Sequence, residues 1–438
     1  MLKAGFARLD ITPPLGVTME GYYYERRAAG ILDPLLISAV ALSEGEDTVV
    51  LVSLDVIGIN QRYLDECRQN AAELNGIPVA AVFVSCTHTH LGPAINDRLF
   101  EVDEMYRALL KRRIADAITL AIKDRQPARL SAGHTAVHQI AFVRRYLMRD
   151  GSTRTNPGRR NPLIDRPIGE PDETVQLLRI TRVAASEILL VNFQVHPDVI
   201  GGNLFSADYP GFVRATLERA LDQVHCVYFN GAQGDLNHIN VQAPEWDANG
   251  GYEQARHMGR SIAGAVLQIY GKTEALDGGD IHCLESLLEV PANKNPEKVT
   301  EAETIIQLHE AGHDDQLPET GMGITTLVAE AYRIRQMAAG PDLIPLRLVA
   351  VSCGGFAITG APGEPFTAVG QAVKARSPFA LTFYCCCANG YEGYFPMQTA
   401  YAEGGYEARS ARYKAGVAEM LIEAGSEMLN QLKSPRIS

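Results

Sequence analysis

Apolar runs rich in β-branched residues recur along the chain and alternate with segments in which apolar residues repeat at helical spacing. The apolar runs cover residues 49–59, 79–86, 175–181, 188–195, 225–230, 346–359 and 379–386. The helical patterns cover residues 62–74, 104–123, 211–221, 253–269, 301–309 and 407–431. Strands that alternate with helices of this length predict an α/β fold with a mixed, substantially buried β-sheet flanked by helices.

The composition is that of an ordinary globular protein. The chain has 438 residues, of which 46% are hydrophobic and 21% are charged, with 39 Gly and 23 Pro. These values exclude a disordered, collagen-like or coiled-coil chain. The length alone allows two or three domains or one large α/β unit.

The net charge and the cysteine pattern limit which partners the protein can bind and which cellular compartment it occupies. A net charge of −12 argues against a nucleic-acid partner. No apolar run approaches the ~18 residues of a membrane-spanning helix, and the start MLKAGFARLDITPP lacks a secretory signal pattern. The eight cysteines include no C-x-x-C pair. We therefore expect a cytoplasmic protein with mostly buried thiols, no stable membrane association and a small-molecule substrate, and a homo-oligomer is compatible with the sequence.

The most polar and turn-rich stretch is residues 149–173, where Pro, Gly and Arg are too dense for a regular element. It predicts either a linker or a loop that folds over a functional site, because long irregular segments inside a compact domain often have a function.

Histidines stand at the ends of two predicted strands. In VFVSCTHTHLGP, an apolar strand runs into His88 and His90, and side chains two apart in extended backbone point to the same side. In LLVNFQVHPD, a second strand ends on His196. A histidine pair alone is more often structural. Two strands that both end on histidine, however, are what an open zinc site requires.

Three further segments place polar side chains after strands. The turn NGAQGDLNH presents Asp235 and Asn237, either to the same cleft or as an Asx-stabilised connection. Glu364 begins a helical run after a Pro-Gly corner, where a carboxylate can also act only as a helix cap. Tyr391 and Tyr394 follow the last apolar strand, a spacing that aromatic packing also uses.

Taken in order, these segments resemble the catalytic domain of the neutral/alkaline, non-lysosomal ceramidase family of zinc-dependent amidases. The opening GFARLDITPPLG, the THTHLGP run, the strand-ending His-Pro, the NGAQGDL turn, the PGE corner and the ANGYEGY segment follow in the order of that family. The resemblance spans roughly residues 4–410.

The resemblance implies a zinc site and its surroundings. It implies that His90 lies beside the metal and faces the substrate. The mechanism we favour assigns Asp235 to orient a ligand or water. Tyr394 is expected to bind substrate, but it lies only one helical turn from Tyr391, so the choice of the tyrosine ligand stays open. The resemblance further implies that Arg144 contacts the polar or anionic end of the substrate, a role that Arg145 could take instead. The implied zinc ligands are His88, His196, Glu364 and Tyr391.

The chain departs from the family at two points. Ceramidases carry a serine where this chain has Asn237, and they continue into a C-terminal immunoglobulin-like domain, whereas this sequence ends at Ser438. We therefore expect residues 1–438 to form a single catalytic domain, with Asn237 in the place of the family serine. The expected substrate is a small soluble N-acyl compound rather than membrane ceramide.

The resulting hypothesis is a zinc-dependent hydrolase that cleaves an amide or ester bond with metal-activated water. In it, His90 serves as general acid and base, a role worth about 10²–10⁴ in rate. Two alternatives stay open: a zinc-dependent lyase or isomerase that acts on a carbohydrate-like substrate, and a catalytically silent relative. We expect Cys385, Cys386 and Cys387 to be core or near-site thiols rather than ligands, because three consecutive side chains cannot all face one metal.

Overall fold

The predicted alternation of strands and helices is present in the computed structural model, which describes residues 1–434. The helices are α1 (Gln61–Asn75), α2 (Glu104–Lys123), α3 (Asp208–Ala220), α4 (Tyr252–Tyr270), α5 (Val299–Glu310), α6 (Met322–Ala338), α7 (Thr367–Arg376), α8 (Gln398–Glu403), α9 (Tyr406–Ser410) and α10 (Val417–Lys433).

The strands divide between two main sheets and several short pairs. They are β1 (Lys3–Asp10), β2 (Thr18–Met19), β3 (Arg26–Arg27), β4 (Gly30–Ile31), β5 (Leu36–Glu44), β6 (Asp47–Leu54), β7 (Val82–Cys86), β8 (Gln126–Ala136), β9 (Phe142–Val143), β10 (Arg145–Met148), β11 (Thr153–Thr155), β12 (Ile164–Pro167), β13 (Thr174–Arg182), β14 (Glu187–Phe193), β15 (Leu204–Phe205), β16 (Val224–Asn230), β17 (Leu236–Asn237), β18 (Glu274–Leu276), β19 (Ile281–Pro291), β20 (Leu343–Cys353), β21 (Phe356–Gly360), β22 (Glu364–Pro365), β23 (Leu381–Cys385) and β24 (Tyr394–Phe395).

The larger sheet has nine strands within residues 1–434, in the order β16-β14-β13-β8-β1-β5-β6-β7, with β18 paired to β8. The pairs β14–β16 and β6–β7 are parallel, and the other pairs in the sheet are antiparallel. The predicted mixed sheet is therefore confirmed.

The two main sheets pack face to face between two layers of helices. The second sheet has the order β19-β20-β21-β23. Along β6, Val49 and Leu51 point into the core between the sheets, whereas Val50 and Val52 point into the core beneath α1 to α4. This period of two is that of a strand buried on both faces. Helices α7 and α10 cover the outer face of the second sheet.

Helices α5 and α6 form a hairpin inserted between β19 and β20, outside these layers. The two helices bury a small cluster of their own, which comprises Ala302, Ile306, Ala331 and Ile334. Because this apolar cluster is small, the hairpin depends on contacts with the rest of the protein for its position.

Three sequence expectations differ from the structure. Residues 407–431 form two helices, α9 and α10, because the chain turns at Gly416 with φ of 101°. Residues 346–359 form a hairpin, not one strand. Its turn requires Gly354, since a Cβ there would lie 1.7 Å from the Asp277 carbonyl oxygen. Residues 149–173 are not wholly irregular, because β11 and β12 pair with β10 in a three-stranded sheet.

Two other expectations concern burial and the bilayer. Seven of the eight cysteines are buried, including Cys385, Cys386 and Cys387, in agreement with the sequence analysis. Among the described helices, none combines the length and the apolar character needed to cross a membrane.

Candidate functional site

The candidate site lies where the two ends of the larger sheet approach each other. In strand order β7 and β16 lie at opposite edges. The sheet curls so that the Asn230 side chain, at the end of β16, donates to the Thr87 carbonyl after β7 at 3.2 Å. Strong twist of this kind brings together the histidines that follow β7 and β14.

Backbone carbonyls orient two of the imidazoles. The Nδ1 of His88 lies 2.6 Å from the Ile57 carbonyl oxygen, and the Nδ1 of His196 lies 3.3 Å from that of Gln233. A carbonyl can only accept, so each Nδ1 carries the proton and each Nε2 presents a lone pair. These Nε2 atoms are 3.3 Å apart. This is the tautomer that metal-binding histidines use.

Glu364 completes a convergent set of donor atoms. Its Oε2 lies 3.3 Å from the Nε2 atoms of both His88 and His196, and the Tyr391 hydroxyl donates to its Oε1 at 3.2 Å. Among residues 1–434, no group donates a hydrogen bond to the buried Oε2. A buried carboxylate oxygen facing two lone pairs is costly unless a cation lies between them, so the donor set fits a metal ion.

Burial and neighbouring charges shift the pKa values of these groups. Burial acts to lower the pKa of His88, but Glu364 raises it overall above its usual value, so a metal bound there would displace a proton. Burial, reinforced by Arg144 and His88, lowers the pKa of His196 well below 6.5. Burial opposes ionisation of Glu364, but the neighbouring His88 and Arg144 hold the pKa of that carboxyl below its usual value. A neutral imidazole and an ionised carboxylate are the forms that bind metals.

His90 lies beside this set. Its ring centroid is 5.1 Å from that of His88 and 5.4 Å from that of His196. Both of its ring nitrogens are buried and lack a hydrogen-bond partner among the described residues, although Nδ1 lies 3.6 Å from Asp198 Oδ1. Ligand atoms of His88, His90 and His196 lie within 4.8 Å of one another, so the three histidines could hold a metal ion.

Asp235 and Asn237 have different positions relative to the metal-binding groups. Asp235 Oδ1 accepts from the backbone N–H and the hydroxyl of Thr367, both at 2.7 Å, at the start of α7. It therefore holds the segment that follows Glu364. Asn237 instead donates to Asn156 Oδ1 at 2.6 Å and braces the segment that precedes β12. Asn237 does not line the cavity described below.

The two predicted substrate-binding arginines are both buried. Arg144 Nε lies 2.7 Å from Glu407 Oε1, and its guanidinium group lies 5.4 Å from the centre of the Tyr394 ring. Arg145 Nη2 donates to the Gly404 carbonyl at 2.8 Å. Neither arginine lines the cavity, whereas Tyr394 does. A contact of Arg144 or Arg145 with the substrate stays a prediction.

A cavity of about 320 Å³ opens over His88, His90, Glu364 and Tyr391. Much of its wall consists of tyrosines and arginines that the sequence analysis did not single out. These residues do not follow predicted strands, which was the pattern used to select candidate site residues. Only the run GYYYERR, with its dense tyrosines and arginines, stands out in the sequence. These residues are Tyr22, Tyr23, Tyr332, Tyr406, Arg98, Arg333, Arg335 and Arg412.

Helix α6 forms the roof of the cavity. Its Tyr332 stacks on Tyr23 with ring centroids 5.9 Å apart, and the Tyr23 carbonyl accepts from His309 Nε2 of α5 at 2.8 Å. The Tyr23 and Tyr406 hydroxyls lie 3.4 Å apart. The inserted hairpin is thus attached to the wall that faces the donor set.

Comparison with known structures identifies the fold. The chain superimposes on neutral ceramidase from Pseudomonas aeruginosa with a TM-score of 0.75 and 18% identity, over 99% of this chain and 75% of that chain. It matches a ceramidase complexed with C2 with a TM-score of 0.74 and 18% identity, over 100% of this chain and 77% of that one. No protein-family model and no curated protein sequence matches. The chain therefore has the neutral ceramidase fold, as its motifs predicted.

Proposed function

We propose that this protein is a zinc-dependent hydrolase that cleaves the amide bond, or an ester bond, of a small N-acyl compound. The observation that carries the proposal is the convergence of His88 Nε2, His196 Nε2 and Glu364 Oε2 within 3.3 Å at a cavity. Two imidazoles and a carboxylate are a common catalytic zinc set, and it leaves a position for water or substrate. The ceramidase fold supports an amide hydrolase in particular.

The proposed ligands are His88, His196, Glu364 and Tyr391. Zinc held by these residues would lower the pKa of a bound water to about 7 and polarise the scissile carbonyl. Tyr391 is the proposed ligand, and its hydroxyl lies 3.2 Å from Glu364 Oε1; Tyr394 also interacts with Glu364. Tyr394 lines the same cavity, so its hydroxyl can contact the substrate.

His90 is the proposed general acid and base. Burial and the adjacent His88 lower its pKa well below 6.5, which leaves a neutral imidazole able to accept a proton. Its two nitrogens lack partners within residues 1–434. His90 can therefore take the proton of the attacking water and return it to the leaving amine or alkoxide.

The cavity favours a small polar substrate over a membrane lipid. Its volume of about 320 Å³ lies near the lower end of the range for small-molecule sites. Ile57, Leu99 and Ala329 are the aliphatic residues of a wall that is otherwise mainly aromatic, polar or charged. A cavity of this volume is too small to enclose two long hydrocarbon chains. We further propose a cytoplasmic location, in keeping with the largely buried cysteines.

A second candidate is a non-hydrolytic zinc enzyme, a lyase or isomerase, that acts on a carbohydrate-like substrate. Two observations favour it: the wall is rich in tyrosine hydroxyls, and the chain carries Asn237 in place of the family serine. Proteins commonly bind sugars by stacking aromatic rings on them and by hydrogen bonds to their hydroxyl groups, and tyrosine offers both.

Metal analysis and a substrate panel test the proposal. Protein purified without added zinc should contain about one zinc per chain, and His88→Ala and His196→Ala should bind zinc more than about 100-fold less tightly. His134→Ala, on the exposed side of β8, is the matched control. Amides, esters, lactones and acetylated amino sugars are then assayed with and without chelator. Unchanged zinc in both ligand variants, or no chelator-sensitive cleavage, would contradict the proposal.

A further inference from the structure

Positive charge is concentrated at the cavity of a protein that is acidic as a whole. The chain carries a net charge of −12, yet Arg98, Arg333, Arg335 and Arg412 all line the cavity. The acidic residues on the same wall are Glu20 and Glu364, and Glu364 belongs to the proposed metal site. A local excess of positive charge at a cavity attracts anionic ligands, even when the protein as a whole is negatively charged.

Two of these arginines share one carboxylate. Arg98 Nη2 and Arg412 Nη1 both donate to Glu392 Oε2, at 2.9 and 2.8 Å. Arg98 Nη1 and Arg412 Nη2 have no hydrogen-bond acceptor among residues 1–434. One carboxylate shared by two guanidinium groups leaves one positive charge on the pair, and the NH2 groups of Arg98 Nη1 and Arg412 Nη2 stay free to donate.

Arg335 is a third cation with free donors. It projects from the roof helix α6 with its side chain 44% exposed, stacks over Tyr332 at 5.0 Å, and approaches Glu310 only to 4.0 Å. Arg333, by contrast, uses its guanidinium group within the protein, where it donates to the carbonyls of Asn293 and Arg409. Arg333 is therefore structural, and Arg335 is available to a ligand.

Glu20 opposes these charges only in part. Its carboxylate oxygens accept from the Asn96 side chain, both at 3.1 Å, which turns them toward that residue. Burial also raises the pKa of Glu20.

We propose that the substrate carries a compact oxyanion, a carboxylate or a phosphate, at the end remote from the scissile bond, and that Arg98, Arg412 and Arg335 bind it. The proposal rests on the hydrolase function proposed above and specifies its substrate class. Guanidinium groups present paired N–H donors that match the oxygens of carboxylate and phosphate, and such charge-assisted hydrogen bonds are stronger than neutral ones.

Matched pairs of compounds that differ in this charge test the proposal on the zinc-loaded protein. The pairs are N-acetylglycine with N-acetylglycinamide, N-acetyl-O-phosphoethanolamine with N-acetylethanolamine, and N-methylsuccinamate with N,N′-dimethylsuccinamide. The first two pairs distinguish carboxylate from phosphate, and the third places the charge on the acyl side. Binding is measured by calorimetry and cleavage as kcat/KM, so that the two readouts are independent.

We expect an anionic member to bind at least about 10-fold more tightly than its neutral partner, or to be cleaved that much faster. This preference should shrink as salt rises from about 0.05 M to about 0.5 M. Arg98→Gln, Arg335→Gln and Arg412→Gln should each reduce it several-fold. Arg112→Gln, which removes the same charge from the exposed surface of α2, should not. Arg335 has no hydrogen bond to lose, only a stack on Tyr332 and an exposed contact with Glu310, so of the three variants Arg335→Gln should disturb folding least.

The outcomes separate the two proposals. Equal chelator-sensitive cleavage of charged and neutral members would overturn the anion site and leave the hydrolase. Tighter binding of the anions without cleavage would support the anion site and count against the hydrolase. An anion preference that survives in all three cavity variants would overturn the assignment to these arginines.

Discussion

At the scale of single residues, the geometry of the proposed metal site depends on the groups that orient its ligands as much as on the ligands themselves. His88 and His196 each use one nitrogen on a backbone carbonyl, which leaves the other nitrogen free to coordinate. Glu364 accepts from the Tyr391 hydroxyl on Oε1 but has no hydrogen-bond donor on Oε2 within residues 1–434, so the position of Oε2 also depends on the backbone. That backbone is held by Asp235 through Thr367 and by the Gly234 N–H, which donates to the Pro365 carbonyl at 2.9 Å.

Replacement of Asp235 should therefore weaken metal binding although Asp235 touches no metal-binding atom. In Asp235→Ala, the start of α7 loses two hydrogen bonds, and we expect a loss of stability of about 1 kcal/mol. Zinc affinity should fall about 10-fold. Urea unfolding of the metal-free protein and competition with a chelator measure the two effects separately.

Asp235→Asn is the control, since its side-chain oxygen can still accept from Thr367. A zinc affinity that is unchanged in Asp235→Ala, despite the loss of stability, would show that Asp235 caps α7 without positioning Glu364.

The sequence identified these residues to different degrees, for physical reasons. His88, His196 and Asp235 follow apolar strands, and that pattern is visible one segment at a time. The cavity wall is not visible in this way, because Tyr332 and Arg335 lie on a helix whose pattern resembles that of any half-exposed helix. Asn237 occupies the predicted turn, yet its contact with Asn156 could not be predicted, since it depends on the path of residues 149–173.

At the scale of elements, backbone approaches between turns determine the geometry of the site. The turn at Gly234 lies so close to the Glu364 segment that a Cβ at residue 234 would stand 2.5 Å from the Glu364 carbonyl oxygen. No side-chain rotation can relieve a contact between a Cβ and a backbone oxygen.

Gly234→Ala should therefore destabilise the protein by about 1–3 kcal/mol and displace Glu364, with weaker zinc binding. Gly264→Ala is the matched control, because Gly264 lies in α4 with open space around its Cβ position. There the same change should stabilise by about 0.5–1 kcal/mol. Thermal unfolding and chelator competition provide the measurements. Equal stability of the two variants would contradict the close approach.

The roof hairpin should respond to pH through His309. Burial acts to lower the pKa of His309, but its hydrogen bonds to the Tyr23 carbonyl and to Asp314, with Glu310 nearby, raise it overall above 6.5. A raised folded pKa means that this stabilisation is complete below the unfolded value, near 6.5, and is lost as pH rises through the folded pKa.

Hydrogen exchange of α5 and α6, corrected for the intrinsic effect of pH, should thus show stronger protection at pH about 6 than at pH about 9. His309→Gln should remove most of this difference, since glutamine does not titrate. Protection that is the same at both pH values in the unaltered protein would exclude His309 as the contact that holds the roof.

Element boundaries also show where sequence patterns stop being sufficient. Helix α2 was predicted with its observed bounds, because its apolar period is uninterrupted and Asp103 caps it. Residues 407–431 share one continuous helical period, and the break at Gly416 is a matter of backbone conformation that the period does not record. The turn between β20 and β21 was likewise not recognised in the sequence. Both strands are largely buried, so they read as one continuous apolar run.

At the scale of the whole molecule, the site joins the two main sheets. His88 and His196 follow strands of the larger sheet, whereas Glu364 and Tyr391 follow β21 and β23 of the smaller one. The apolar core between the sheets contains residues of both. A metal bound at these ligands therefore stabilises the contact between the sheets as well as the site.

Zinc should accordingly raise the unfolding free energy of the entire described fold. Binding to the folded state alone stabilises by about 2.7 kcal/mol when free zinc is 100 times its Kd. Because ligands from both sheets must separate for the metal to leave, calorimetry should show one transition that moves upward as a whole with zinc. The His88→Ala variant should unfold at a temperature independent of zinc. Two transitions, of which only one responds to zinc, would show that the sheets unfold separately and that the ligands from one of them do not bind the metal.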